Sequence, residues 1–212
     1  QGNISRRLWH RPNSRMRWRD EKLPDRYVFL PLQVRGDSQL WLHSPLISDD
    51  LPRLIGTSQK SIQEIKGEYP LVVKLHPLDT KSDYNEVSDA FPDVFFVRKT
   101  PVRNLLKNAS AVITVNSTVG FEALFYYKPV VMVGNNFYGI PGIVHKVNKM
   151  EEFDQALNAA LTEPVDKERI DKILYFVYHH FLVKGHYKNF STSSIAAVGK
   201  KIVDIIASHS VR

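Results

Sequence analysis

The chain has 212 residues, 43% hydrophobic and 24% charged, with a formal net charge of +7 and no cysteine. That length suits one large domain or two small ones with a proper core, and the lack of cysteine excludes disulfides, thiolate metal sites and cysteine nucleophiles in any redox compartment. No apolar run reaches membrane-spanning length and no hydrophobic signal segment opens the chain, so a cytoplasmic location is expected, while the positive charge favours anionic partners: nucleotides, acidic glycans, anionic lipid or nucleic acid.

Residues 1–26 carry Arg6, Arg7, Arg11, Arg15, Arg17, Arg19 and Arg26, interleaved with Trp9 and Trp18. Such a mixture can grip phosphates and stack on bases, but no nucleic-acid-binding pattern accompanies it. It reads as a basic connector that packs on the body through its aromatics, and nucleic acid is not the expected partner. Gln at position 1 is what a fragment or a processed chain would show.

Tyr27 to Leu32 is a short apolar run suited to a buried parallel strand, and it leads into the polar stretch Gln33 to Gln39. After turn residues around Ser44-Pro45 and Ser48 to Asp50, the segment Leu51 to Lys66 places Leu54, Ile55, Ile62 and Ile65 at helical spacing, with Gly67 closing it. A second strand, Leu71 to Leu75, ends in His76-Pro77, where proline holds the preceding residue extended and stops the ladder. A short helix within Lys81 to Ala90, a strand at Val94 to Val97 and a helix over Val102 to Lys107 follow. Next come a strand at Ala111 to Val115, a helix ending near Tyr127, a strand at Val130 to Val133 and a sixth strand within Ile143 to Val147. Met150 to Leu161, Lys167 to Val183 and Ser191 to Ala207 show helical spacing. This alternation predicts an α/β fold with a doubly wound parallel sheet: a connector at 1–26, a core at 27–149, and C-terminal helices at 150–212 completing the same domain.

In such sheets ligands bind at the carboxyl ends of the strands, and three polar clusters fall there: Gln33 to Gln39, Lys74 to Pro77, and Asn116 to Glu122. Asn116, Ser117 and Thr118 precede a helix start, where unpaired amides and the macrodipole favour an anion, and Gly120 leaves room for close approach of backbone or ligand. Taken singly, each cluster has a plainer reading. The Asn-Ser-Thr turn fits an ordinary helix cap, His76 a structural histidine and Asp37 a turn former beside Gly36 and Ser38. Together they point to a nucleotide-phosphate site.

The order Pro31-Leu32-Gln33-x-x-x-Asp37-Ser38-Gln39, then Lys74-Leu75-His76-Pro77, then Asn116-Ser117-Thr118-x-Gly120-Phe121-Glu122-Ala123-Leu124 with Lys128-Pro129 resembles the bacterial capsule polysaccharide biosynthesis family. That family includes retaining β-Kdo glycosyltransferases, which use CMP-Kdo. The resemblance runs from about Arg26 to Asn135, and the His-Pro pair with the later hydroxyl pair is also similar to the CMP-binding motifs of bacterial sialyltransferases. It implies a Rossmann-like domain forming one half of a GT-B glycosyltransferase. By resemblance, His76, Ser117 and Thr118, with Asn116, hold the CMP phosphate, and Glu122 accepts from the ribose hydroxyls. Asp37 is the nucleophile of a double displacement, His76 assists the departing CMP, and Gln33, Gln39, Ser38, Arg35 and Lys74 orient or bind the donor sugar.

No Asp-x-Asp motif is present and the CMP leaving group carries one phosphate, so no metal and no cofactor are expected. The expected partners are a nucleotide-sugar donor and an anionic glycan or glycolipid acceptor, at the inner face of the cell membrane. A GT-B enzyme needs two such domains, whereas this chain reads as the donor-binding half alone, without the acceptor's general base. A UDP-sugar transferase or epimerase, and a non-catalytic nucleotide- or glycan-binding module, remain the alternatives.

Overall fold

The computed structural model describes residues 16–20, 22–65, 69–80, 82–183, 185 and 191–209. Arg6, Arg7, Trp9, Arg11 and Arg15 of the connector, and Gly67 at the expected end of a helix, lie outside the described residues.

Six strands form one parallel sheet: β1 (Tyr27–Pro31), β2 (Leu71–Lys74), β3 (Phe95–Val97), β4 (Ala109–Thr114), β5 (Val130–Met132) and β6 (His145–Lys146). Their order is β3-β2-β1-β4-β5-β6. The order reverses between β1 and β4, where Val28 stands opposite Ala111 and Phe29 opposite Val112. This is the doubly wound topology whose switch point opens a crevice at the carboxyl edge. β1 is buried along its whole length, as the continuous apolar run requires for a strand covered on both faces.

The helices of the larger unit are α1 (Ser38–His43), α2 (Leu51–Glu64), α3 (Asn85–Ala90), α4 (Val102–Asn108), α5 (Thr118–Leu124) and α6 (Phe153–Thr162). α2 starts on Asp50, whose carboxylate accepts from Arg53 N, with Pro52 in the first turn, and it buries Leu51, Leu54, Ile55 and Ile62 against the sheet core. α1 is an addition to the sequence reading, which carries the polar stretch from Gln33 to Gln39 as a loop. Its single buried residue, Leu40, gives too weak an apolar period to stand out.

Part of the connector pairs with the sheet. Trp18 forms a parallel bridge to Phe96, Arg19 N donates to Phe96 O at 2.9 Å, and Met16 is buried in the core.

The chain divides into two compact units after Ile170. Helix α7 (Lys167–Phe176) runs across that division and continues as a π-helical turn over Val177–Phe181, and α8 (Thr192–His209) follows. Within the smaller unit, Lys200 pairs with Asp204 one turn on at 2.7 Å, and Tyr175 lies against His179 with ring centroids 4.3 Å apart. Among the described residues, no helix is long and apolar enough to cross a membrane.

Candidate functional site

The centre of the crevice is a joint between Gln33 and Asn116, the residues just beyond β1 and β4. Gln33 Nε2 donates to Asn116 Oδ1 at 2.8 Å, and Asn116 N donates back to Gln33 Oε1 at 3.3 Å. Asn116 Nδ2 donates to Gln39 O in α1 at 2.8 Å, and Asn136 Nδ2 beyond β5 donates to Asn116 O at 2.6 Å. Asn116 therefore ties its own loop to α1 and to the loops beyond β1 and β5. It is 5% exposed and Gln33 9%, and the two amides frame the crevice through these bonds. The sequence expectation gives Asn116 to the phosphate and Gln33 to the sugar; in the structure each is engaged by the other.

Ser117 caps α5: its backbone is extended and its Oγ accepts from Val119 N at 3.2 Å. Ser117 N is held by Thr114 Oγ1 at 3.1 Å, and its carbonyl accepts from Tyr138 Oη. The Ser117 hydroxyl proton remains to be donated, and among the described residues the Thr118 amide and hydroxyl have no protein partner. Thr118 is exposed. Glu122, one turn into α5, is exposed at its outer part, yet partial desolvation raises its pKa above the usual carboxylate value.

Gly120 does something other than admit a ligand. A Cβ there would lie 2.3 Å from Tyr138 Oη and 2.9 Å from Thr114 Cγ2, so glycine is needed because the tyrosine fills that space. Gly36 is likewise needed for its conformation, φ +79, with open space where a side chain would be.

Asp37 has its extended backbone at the start of α1, and its Oδ1 accepts from Gln39 N at 2.9 Å. The carboxylate that the resemblance makes a nucleophile is thus also a helix cap. Its second oxygen is unengaged among the described residues. Ser38 and Gln39, the first residues of α1, are exposed, and Gln39 contributes its carbonyl to the Asn116 joint.

His76 lies beyond β2. Its Nδ1 accepts from Leu78 N at 3.1 Å, which leaves the proton of the neutral ring on Nε2, as an outward donor. The loop is braced by Asp79, 5% exposed, which accepts from Ser82 N at 3.2 Å and from Tyr84 Oη at 3.2 Å. The positive charge of Arg35 opposes the rise that burial imposes on the Tyr84 pKa, and the Arg35 side chain is exposed. Lys74 turns away from the crevice: its Nζ donates to Arg98 O at 2.7 Å, and burial lowers its pKa, opposed by the nearby Asp20 carboxylate. The sugar-binding role expected of Lys74 competes with that fixed bond.

Asn136, Tyr138 and Asp79 were not singled out from sequence. All three lie in loops at the carboxyl edge, and that position was the available signal. His76 and Ser117 sit beyond β2 and β4, on either side of β1, which spaces them by two strand separations, roughly 10 Å.

A parallel sheet with a reversing strand order, and polar loops bonded to one another at the reversal, defines a Rossmann-like α/β domain of the kind that takes its ligand at the carboxyl edge. Within that class, the chain belongs to the capsule polysaccharide biosynthesis protein family, which it matches over residues 8–187. Protein FixF of Sinorhizobium fredii is 32% identical over 183 residues, covering 84% of this chain and 42% of that protein. The capsule polysaccharide export protein KpsS of Escherichia coli is 32% identical over 144 residues, covering 64% of this chain and 36% of that protein. The chain spans less than half the length of these relatives. Among solved structures, the β-Kdo 2,7 transferase of Thermosulfurimonas dismutans KpsC covers 74% of this chain and 57% of its own, with TM-score 0.48 and 22% identity. The UDP-GlcNAc 2-epimerase of Methanocaldococcus jannaschii covers 72% and 46%, with TM-score 0.49 and 17% identity.

Proposed function

We propose that this chain is the donor-binding half of a GT-B glycosyltransferase that transfers Kdo, with retention, from CMP-Kdo during synthesis of a capsule or related surface polysaccharide. The observation that carries the reading is the set of donors left over at the α5 start. The Asn116 joint and Tyr138 fix Ser117, while the Ser117 hydroxyl and the Thr118 amide and hydroxyl stay available to a phosphate. Membership of the capsule polysaccharide biosynthesis family supports the substrate class.

In this reading, Ser117 and Thr118 bind the CMP phosphate and Glu122 accepts from the ribose hydroxyls. The Nε2–H of His76 donates to the phosphate as negative charge builds on the leaving group, and a fixed donor of this kind stabilises that charge without reorganising. The free oxygen of Asp37 attacks the anomeric carbon as the bond to the CMP oxygen breaks, and CMP leaves with the electron pair. An acceptor hydroxyl then displaces the carboxylate and loses its proton to a base from the acceptor side. Gln39, Ser38 and Arg35 line the approach. With a single phosphate on the leaving group and no Asp-x-Asp motif, the reading calls for no metal, and its acceptor is an anionic glycan or glycolipid at the inner face of the cell membrane. The acceptor domain and its base belong to a second α/β domain of a longer protein.

Titration calorimetry with CMP, UDP and GDP tests the donor assignment. CMP is expected to bind tightest. A preference for UDP would overturn the Kdo reading in favour of a UDP-sugar enzyme.

A further inference from the structure

At the outer edge of β3, away from the crevice, a cavity of about 900 Å³ is lined by Arg17, Arg19, Lys22, Arg98 and Lys99 together with Trp18, Phe95 and Asp20. Asp20 is the one carboxylate among these residues, and it is already engaged. Its Oδ1 accepts from Thr100 Oγ1 at 2.7 Å and from the amides of Thr100, Lys99 and Arg98 at 2.8, 2.9 and 3.2 Å. Among the described residues, none of the five cations is within ion-pair distance of a carboxylate. Five positive side chains around one concave surface repel each other, and a multiply charged anion seated among them relieves that repulsion.

We propose that this cavity binds a run of carboxylate-bearing sugars, a stretch of acidic oligosaccharide held apart from the nucleotide crevice. Arg guanidinium groups match carboxylates in paired hydrogen bonds, and exposed Lys22 and Lys99 add mobile point charges suited to a chain of varying register. Base stacking is disfavoured, because Arg19 already lies 4.4 Å over the Phe95 ring and Arg98 5.9 Å from the Trp18 ring centre. The turn at 98–100 lies at the carboxyl end of β3, on the same sheet edge as the crevice, and Lys74 of β2 is bonded to it. Two strand separations, roughly 10 Å, divide β3 from β1, so a chain anchored here reaches toward the reacting end. The glycan half of this assignment rests on the glycosyltransferase reading, whereas the anion half rests on the cavity alone.

Fluorescently labelled oligogalacturonate is the probe, with its methyl ester as the uncharged control and polyphosphate and single-stranded DNA as competitors, all on the full chain. Oligogalacturonate is expected to bind and its ester not to. Lys22→Glu with Lys99→Glu is expected to weaken binding at least tenfold while thermal melting and CMP binding are unchanged. Lys22→Gln with Lys99→Gln, a milder pair, should weaken it less, and it decides the matter if the charge reversal unfolds the chain. Equal binding by wild type and both variants overturns the site, and tighter binding of polyphosphate or DNA than of oligogalacturonate overturns the glycan. Loss of CMP binding in the wild type with oligogalacturonate binding intact would fell the donor reading and leave this site standing.

Discussion

Gln33 and Asn116, 83 residues apart in sequence, exchange two hydrogen bonds across the point where the strand order reverses. Neither amide can be removed without stranding its partner in a buried place. Asn116→Ala is expected to cost about 2–3 kcal/mol in denaturant unfolding, since it orphans Gln33 and the Gln39 carbonyl. A double-mutant cycle with Gln33→Ala should give a coupling of about 1 kcal/mol, and additive losses would show that the pair does not act as a unit.

The capping bond of Asp37 separates two roles that a single alanine variant would confuse. Asn caps as well as Asp, so Asp37→Asn is expected to leave melting and CMP affinity near wild type while abolishing sugar transfer by the longer protein. Asp37→Ala should also lose about 1 kcal/mol of stability. Transfer at wild-type rate by Asp37→Asn would remove the nucleophile from this position.

His76→Ala is expected to weaken CMP binding about tenfold or more, because the Nε2–H donor is lost from a charged hydrogen bond. Calorimetry measures it, with unchanged melting as the check that the loop braced by Asp79 is intact.

Close packing at α5 gives a stability test independent of any ligand. Gly120→Ala drives a methyl group into Tyr138 and is expected to cost about 2 kcal/mol or more. Tyr138→Phe in the same chain should return part of that loss by removing the hydroxyl. A neutral Gly120→Ala variant would show that α5 can shift.

Asp20 supplies a pH dependence with a definite sign. Burial opposes its charged form, but the Thr100 hydroxyl and the amides of Thr100, Arg98 and Lys99 outweigh it and hold the pKa below the ordinary carboxylate value. A depressed folded pKa means that the contribution is complete above the unfolded value, near about 3.9, and is lost as pH falls through the folded one. Asp20→Asn is therefore expected to lower stability by about 1 kcal/mol at neutral pH, after allowance for solvent screening. The gap to wild type should close in melts taken below pH 4.

The sheet was legible because strands covered on both faces carry apolar runs: Tyr27 to Pro31 is buried throughout, Ala111 to Ile113 is the apolar heart of β4, and the two strands occupy the central positions. The three polar clusters were legible for the complementary reason, since polarity begins where a buried strand ends. The division of labour inside them was not. Asn116 and Ser117 are adjacent residues of capping type, yet one is sealed into a joint and the other presents its hydroxyl, and only partners 77 and 83 positions away decide which. Lys74 shows the same limit, because an Arg98 carbonyl from the neighbouring strand's loop turns it aside. α1 escaped notice since six residues with one buried side chain leave no period to read.

The short pairing of Trp18 and Arg19 along β3 has a bearing on handling the molecule. β3 is an outer strand, and its backbone would otherwise stand open as a template for a second molecule. A truncation that starts at Tyr27, the natural choice for anyone trimming to the regular sheet, would strip away that guard. The outer edge of this sheet is thus covered by a few residues that belong to no strand or helix.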